Sequence, residues 1–217
     1  MIRAISRPSR CVLLFSGGID STLCALQLAD EGHEVHALSV QYDRRPRAEV
    51  RAARRLAGAL EFASRHEIRL RGLAFGPPPG APSGVASLEG VIAHRNLVFW
   101  SLAANRAAAI GASAVAAGHT KEDARTYTDA APSFFRGVRT LLARSGVPSP
   151  GGAQLATRLP MQEFPARHWR DVARRHADVI EQTWSCWRDG PTPCGECFAC
   201  RQRGRFLSLA ALRDGED

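Results

Sequence analysis

A parallel sheet covered by helices on both faces, an α/β fold, is the class this sequence predicts, and two observations carry it. Short apolar runs alternate with stretches of helical periodicity along most of the chain, and a glycine-rich turn joins the first run to the first helix. The 217 residues are 45% hydrophobic and 23% charged, which suits one domain with a small appendage and a sizeable buried core. No apolar run approaches a membrane span, and the run after the basic N-terminus is too short for a signal peptide. The chain is therefore expected in the cytoplasm, with no membrane partner.

The elements follow in order. CVLLF (Cys11–Phe15) reads as a buried strand, and STLCALQLADEG (Ser21–Gly32) as a helix stopping at its glycine. EVHALSV (Glu34–Val40) alternates like a second strand, Pro46–His66 is patterned as a helix, and EIRL (Glu67–Leu70) as a short third strand. The stretch Gly72–Gly90 holds too much Pro and Gly for regular structure and is a long loop. A helix over Asn96–Ile110 and a strand over Ala112–Gly118 come next, then the polar segment His119–Pro132. A helix over Ser133–Arg144, a last strand within Ala153–Pro160 and a helix over Ala166–Glu181 complete the sheet region. Residues 1–183 form the α/β domain in this reading, and 184–217 a cysteine-bearing segment with a helix. Ligands of parallel sheets bind outside the C-terminal strand ends, where Ser16 and His119 both fall.

The turn SGGIDST (Ser16–Thr22), entered from Phe15, is built to hold an anion. A helix start offers unsatisfied N–H groups and the positive end of the dipole. Gly17 and Gly18 let the main chain approach closely, and the hydroxyls of Ser16 and Ser21 are further donors. Asp20 beside phosphates is repulsive unless it caps the helix or holds Mg²⁺, and both roles stay open. Neither a Walker lysine nor a dinucleotide fingerprint is present.

Six cysteines in a chain of a reducing compartment are metal ligands sooner than disulfides. Cys186, Cys194, Cys197 and Cys200 are spaced C-x7-C-x2-C-x2-C, which closes a tetrahedron around a structural Zn²⁺; an iron–sulfur cluster is the rival. Cys11 and Cys24, on the first strand and helix, read as buried inert thiols. The net charge of +8 is almost all arginine, since Lys121 is the only lysine, and it suits anionic partners. Arg44, Arg47, Arg51 and Arg55 recur at helical spacing and form a stripe for nucleic acid or phosphate, or a solvated face. Phe99, Trp100, Phe134 and Phe135 read as core or as subunit contacts, the latter implying a homodimer.

The loop Phe15–Thr22 resembles the S-G-G-x-D-S loop of the PP-loop ATP pyrophosphatases. Taken with the cysteine segment, it makes the chain similar to the QueC family of 7-cyano-7-deazaguanine (preQ0) synthases. The resemblance implies a Rossmann-like sheet of the adenine-nucleotide α-hydrolase type, with a small C-terminal zinc-binding segment. It also implies ATP, Mg²⁺ and Zn²⁺ as cofactors. The implied reaction adenylates the carboxylate of a 7-deazaguanine with release of pyrophosphate. Attack by ammonia or an amine then gives an amide, and a second ATP the nitrile. Phe15, Ser16, Gly17, Gly18, Ile19, Asp20, Ser21 and Thr22 are the implied nucleotide contacts, and Arg95, Asn96, His119, Tyr127 and Asp129 the substrate contacts. Asp20 and Asp129 are the candidate catalytic residues, Asp129 because a carboxylate matches the donor edge of a guanine.

The departures from the family pattern bear on substrate more than on ATP. Gln41–Arg47 reads QYDRRPR where the family reads D-Y-G-Q-R-H-R, the substrate segment lacks its Cys-Arg pair, and Ala93-His94 replaces Pro-Gly before Arg95-Asn96. A related enzyme of antiviral defence, attaching a deazaguanine to a protein or other macromolecule, therefore stands as an alternative. A tRNA-modifying PP-loop enzyme and a non-catalytic zinc-stabilised nucleic-acid-binding module are two more. Asn96 is also read as a plain N-cap, His119 and Tyr127 as loop residues, and Glu122 with Asp123 as either Mg²⁺ ligands or a solvated turn.

Overall fold

Five parallel strands form one sheet in the order β3-β2-β1-β4-β5 in the computed structural model, which describes residues 9–76, 92–145 and 154–211. β1 (Arg10–Leu14) sits at the centre, with β2 (Glu34–Gln41) on one side and β4 (Ala114–Ala116) on the other. β3 (Ser64–Arg69) and β5 (Ala156–Arg158) are the edges. The strand order reverses beside β1, so the crevice between the ends of β1 and β4 is the place where a doubly wound sheet receives its ligand.

Burial on both faces explains the apolar run of β1. Cys11 and Leu13 face a cluster with helix α1 (Ile19–Asp30), helix α2 (Arg47–Ala59) and the Trp169 region. Val12 faces the opposite cluster, where α3 (Arg95–Ile110) and α5 (Pro132–Arg144) bury Trp100 and Phe135. Trp100 and Phe135 are thus core residues, with ring centroids 4.8 Å apart. Cys11 and Cys24 are buried free thiols, and burial pushes the Cys11 thiol up to about 12.

Two predicted helices change shape. The pattern over Pro46–His66 is helical only through Ala59; Leu60 turns extended, and Ser64–Arg69 pairs with β2 from His36 to Gln41. Edge pairing and the packing of Phe62 on Phe15 override the helical periodicity there. Arg44 consequently lies outside α2, in a left-handed conformation (φ 65°), and does not extend the arginine stripe. The helix over Ala166–Glu181 breaks at His176 into α7 (Ala166–Arg175) and α8 (Ala177–Glu181). The break lets Val172 and Ile180 reach the same core cluster.

The polar segment contains a six-residue helix α4 (Lys121–Thr126) and a 3₁₀ turn (Thr128–Ala130). A one-turn helix α6 (Pro160–Glu163) follows β5, and α9 (Phe198–Ala211) follows the cysteines. Most of the long loop expected over Gly72–Gly90 lies outside the described residues. No described helix is long and apolar enough to cross a membrane.

Gly17 has the closest neighbour of the described glycines. Its φ is +80°, and a Cβ there would stand 2.5 Å from the backbone N and Cα of Ala53 in α2. Gly17→Ala therefore meets both a left-handed penalty and an immovable backbone. It is expected to cost about 2–5 kcal/mol. Urea unfolding measures this, and a loss under 1 kcal/mol contradicts the close approach of α2.

Candidate nucleotide site

The loop after β1 is held by its carbonyl groups. Nη2 of Arg45 donates to the Ser16 carbonyl at 2.6 Å, and the Trp184 N–H donates to the Gly17 carbonyl at 3.0 Å. A trans peptide points its C=O and its N–H in opposite directions. Fixing the Ser16 carbonyl thus fixes the Gly17 N–H on the other side. The Gly18 carbonyl receives the Thr22 N–H at 3.1 Å and the hydroxyls of Ser21 and Thr22 at 3.0 Å each. The start of α1 leaves the N–H groups of its first turn without intrahelical acceptors, an anion seat.

The serine hydroxyls are part of this frame. Ser16 Oγ accepts from the Gly18 N–H at 3.1 Å and lies 3.1 Å from Ser21 Oγ. Ser16 and Ser21 thus shape the loop through each other, where sequence reasoning gave them only to phosphate. Phe15, Ile19 and Thr22 are buried; the Phe15 ring packs on Phe62, 5.1 Å between centroids. The side chains of these three support the loop from beneath.

Asp20 is the second residue of α1 and Gly18 is the N-cap, so the capping role for Asp20 falls away. Burial pushes its carboxyl up to about 7, and Asp123 adds to the shift. Asp123 is the third residue of α4, where its Oδ2 accepts from both the N–H and the hydroxyl of Thr120 at 2.8 Å. Asp20 and Asp123 are thus two carboxyl groups near enough to act on each other, a pairing whose chemistry suits a cation. Glu122 is exposed at the same turn. The β4 end approaches so closely that a Cβ on Gly118 would stand 2.9 Å from Asp20 C and Ser21 N.

His119, Asn96 and Asp129 gather on the β4 side. Burial pulls the His119 imidazole down to about 4, against Asp123 and Asp129, while Arg95 adds to the fall. His119 is accordingly neutral at pH 7, and its ring lies 5.2 Å from that of Phe135. Asn96 is not an N-cap: His94 holds that position (φ 55°), and buried Asn96 donates from Nδ2 to the Asp129 carbonyl at 3.0 Å. Asn96 thereby ties the Asp129 turn to α3. Arg95 is exposed and lies against Tyr42. Tyr127 is 46% exposed at the end of α4, free to meet a ligand.

Arg45 and the Trp184–Ser185 pair escaped the sequence reading. Arg45 is one arginine among many, and its only signal is its place just past the end of β2. Its side chain is 3% exposed, bonds the Val40 carbonyl at 2.8 Å and pairs with Glu49 at 3.1 Å. Ser185 places its hydroxyl 3.8 Å from the position a Gly18 Cβ would take, with Ser16 Oγ at 3.2 Å from the same point.

Trp184 leads into the cysteines, which pack on Ala48 and Ala52 of α2. Asp189 Oδ1 accepts the Ala48 N–H at 2.8 Å, closing the N-terminus of α2. The four sulfurs of Cys186, Cys194, Cys197 and Cys200 lie within 4.8 Å of one another. Tetrahedral Zn–S bonds of about 2.3 Å set sulfurs roughly 3.8 Å apart, so the set fits a closed metal site. Backbone N–H groups point at the thiols: Arg188 and Cys194 donate to Cys186 Sγ, and Cys197 to Cys194 Sγ. Such donors, from Cys197 and then Glu196, bring the Cys194 thiol down to about 6, as a thiolate ligand requires.

Residues 10–75 and 86–210 match the sequence profile of QueC, described as queuosine biosynthesis protein QueC. The 7-cyano-7-deazaguanine synthase of Synechococcus sp. (strain RCC307) is 33% identical over 220 residues, covering 95% of this chain and 97% of its own. That of Anaeromyxobacter dehalogenans (strain 2CP-C) is 30% identical over 231 residues, covering 99% and 97%. Among solved structures, NMN synthetase from Francisella tularensis shares the fold, with a TM-score of 0.50 at 13% identity over 96% of this chain and 80% of its own.

The Asp20 environment makes stability depend on pH. Its carboxyl ionises near 3.8 in the unfolded chain and near 7 in the fold. The contribution is therefore present below about pH 4 and lost as pH rises through 7. Without nucleotide, Asp20→Asn is expected to raise Tm at pH 8 by roughly 5 °C, the gain vanishing toward pH 4. A gain independent of pH contradicts a buried carboxylate at this position.

Proposed function

The chain belongs to the QueC family, and on that premise we propose that it is an ATP-dependent, C–N bond-forming ligase acting on a 7-deazaguanine carboxylate. One observation supports this best: the loop after β1 has its carbonyls tied down by Arg45 and Trp184, so the direction of the Gly17 N–H is set before any ligand arrives. Preorganised donors of this kind stabilise developing charge without reorganisation.

In the proposed reaction the loop from Ser16 to Thr22 holds the β- and γ-phosphates of ATP. The substrate carboxylate attacks the α-phosphorus, the α–β bridge breaks, and pyrophosphate leaves with the bonding electrons. A nitrogen nucleophile then attacks the acyl carbon of the adenylate and AMP departs, giving an amide. The relatives' name implies a second activation that turns the amide into a nitrile. Asp20, backed by Asp123, would hold Mg²⁺, which supplies charge neutralisation on the phosphates. Asp129, fixed by Asn96, would accept the donor edge of the deazaguanine, and Tyr127 would stack on it. Neutral His119 would hydrogen-bond the nucleotide without adding charge, and Arg95 would face the acid group. Zn²⁺ on Cys186, Cys194, Cys197 and Cys200 would be structural, because four thiolates leave no open position. A product stopping at an amide or at a conjugate with a larger amine is the second reading. The loss of the family's Cys-Arg pair after Asp129 favours it.

Purified protein with ATP, Mg²⁺, ammonium and 7-carboxy-7-deazaguanine is expected to release AMP and pyrophosphate only when the acid is present. Mass spectrometry then separates nitrile from amide. Release of ADP and phosphate, or turnover indifferent to the acid, overturns the proposal.

A further inference from the structure

Beyond the crevice, an open groove of about 360 Å³ runs between α2 and the ends of β2 and β3. Its walls carry Arg45, Arg47, Arg51, Arg54 and Arg69 with Tyr42, and no acidic side chain. Arg47, Arg51 and Arg54 are spaced i, i+4, i+7, so they share one face of α2 over roughly 10 Å.

This charge is only partly neutralised within the protein. Arg54 meets Glu67 at 2.8 Å and Arg51 meets Asp189 at 4.0 Å, but both guanidinium groups are about 60% exposed, where such pairs hold weakly. Arg47 and Arg69 form no ion pair among the described residues. Beneath them, buried Arg45 spends its terminal nitrogens on Ser16, Ser39, Val40 and Glu49, while its Nε–H has no acceptor. Five guanidinium groups around one groove, two of them without an acidic partner among the described residues, suit an anion.

The arrangement suits a chain of anions and not a single phosphate. The charges follow a line longer than one phosphate, and the ring of Tyr42 adjoins them. Tyr42 packs near Phe99 and Phe75, at 5.9 and 6.5 Å, and the Arg44 guanidinium covers the Phe75 ring at 4.9 Å. A cationic groove beside aromatic rings is how single strands are held without sequence preference. We infer that this groove binds the sugar–phosphate backbone of a single-stranded nucleic acid. Arg45 joins this groove to the loop after β1, since it lines the groove and its Nη2 holds the Ser16 carbonyl.

Fluorescence anisotropy of a labelled 20-nucleotide single strand, titrated without ATP at several salt concentrations, tests this. Three or four neutralised phosphates predict a log K against log salt slope of about −2 to −3. Arg47→Ala, Arg51→Ala and Arg69→Ala should each weaken binding several-fold and make the slope shallower by about 0.7. Arg136→Ala and Arg139→Ala, exposed on α5, should leave both unchanged. Three results overturn the inference: no binding at 50 mM salt, equal losses in the α5 variants, or displacement of the strand by equimolar inorganic triphosphate or polyglutamate. Matching thermal melts of all variants exclude unfolding as the cause of any loss.

Discussion

The planarity of two peptide bonds governs the candidate site. Arg45 and Trp184 hold the carbonyls of Ser16 and Gly17, and the amides that follow have no choice of direction. Everything about the loop serves that arrangement. Gly17 is the one residue that fits beneath α2 with a positive φ. Gly18 donates to Ser16 Oγ, and the first hydroxyls of α1 are turned inward to the Gly18 carbonyl. An anion arriving here meets oriented dipoles, and the cost of ordering them was met when the chain folded.

The same constraint makes the cysteine segment part of the site. Trp184 stands two residues before the first cysteine, and Asp189 between the first and second cysteines closes α2. α2 in turn presses on Gly17. A metal bound to the four thiols would therefore brace the loop by two routes, through Trp184 directly and through α2. Structural metals are usually credited with local folding; here the local element reaches the loop after β1.

Much of the fold was legible in the sequence. The strand–turn–helix of Val12–Leu26 and the spacing of the four cysteines depend on local chemistry, so residue type and interval reveal them. What was missed depends on tertiary context. Nothing in the helical pattern of Pro46–His66 announces that Ser64–Arg69 is needed as an edge strand. Arg45 resembles its neighbours until β2 ends beneath the loop, and Asn96 looks like a cap until Asp129 comes within reach. Asp20 was singled out by its incongruity beside glycines, and the structure gives that incongruity a cause, a carboxyl raised by burial and facing Asp123.

The most direct measurement is a crystal structure with ATP bound. The β- and γ-phosphates should rest on the amides of the turn after β1, within hydrogen-bond distance of the Gly17 N–H, with the α-phosphate directed toward His119 and Asp129. A triphosphate seated anywhere else, with the Ser16 and Gly17 carbonyls still held by Arg45 and Trp184, would contradict the assignment of this loop.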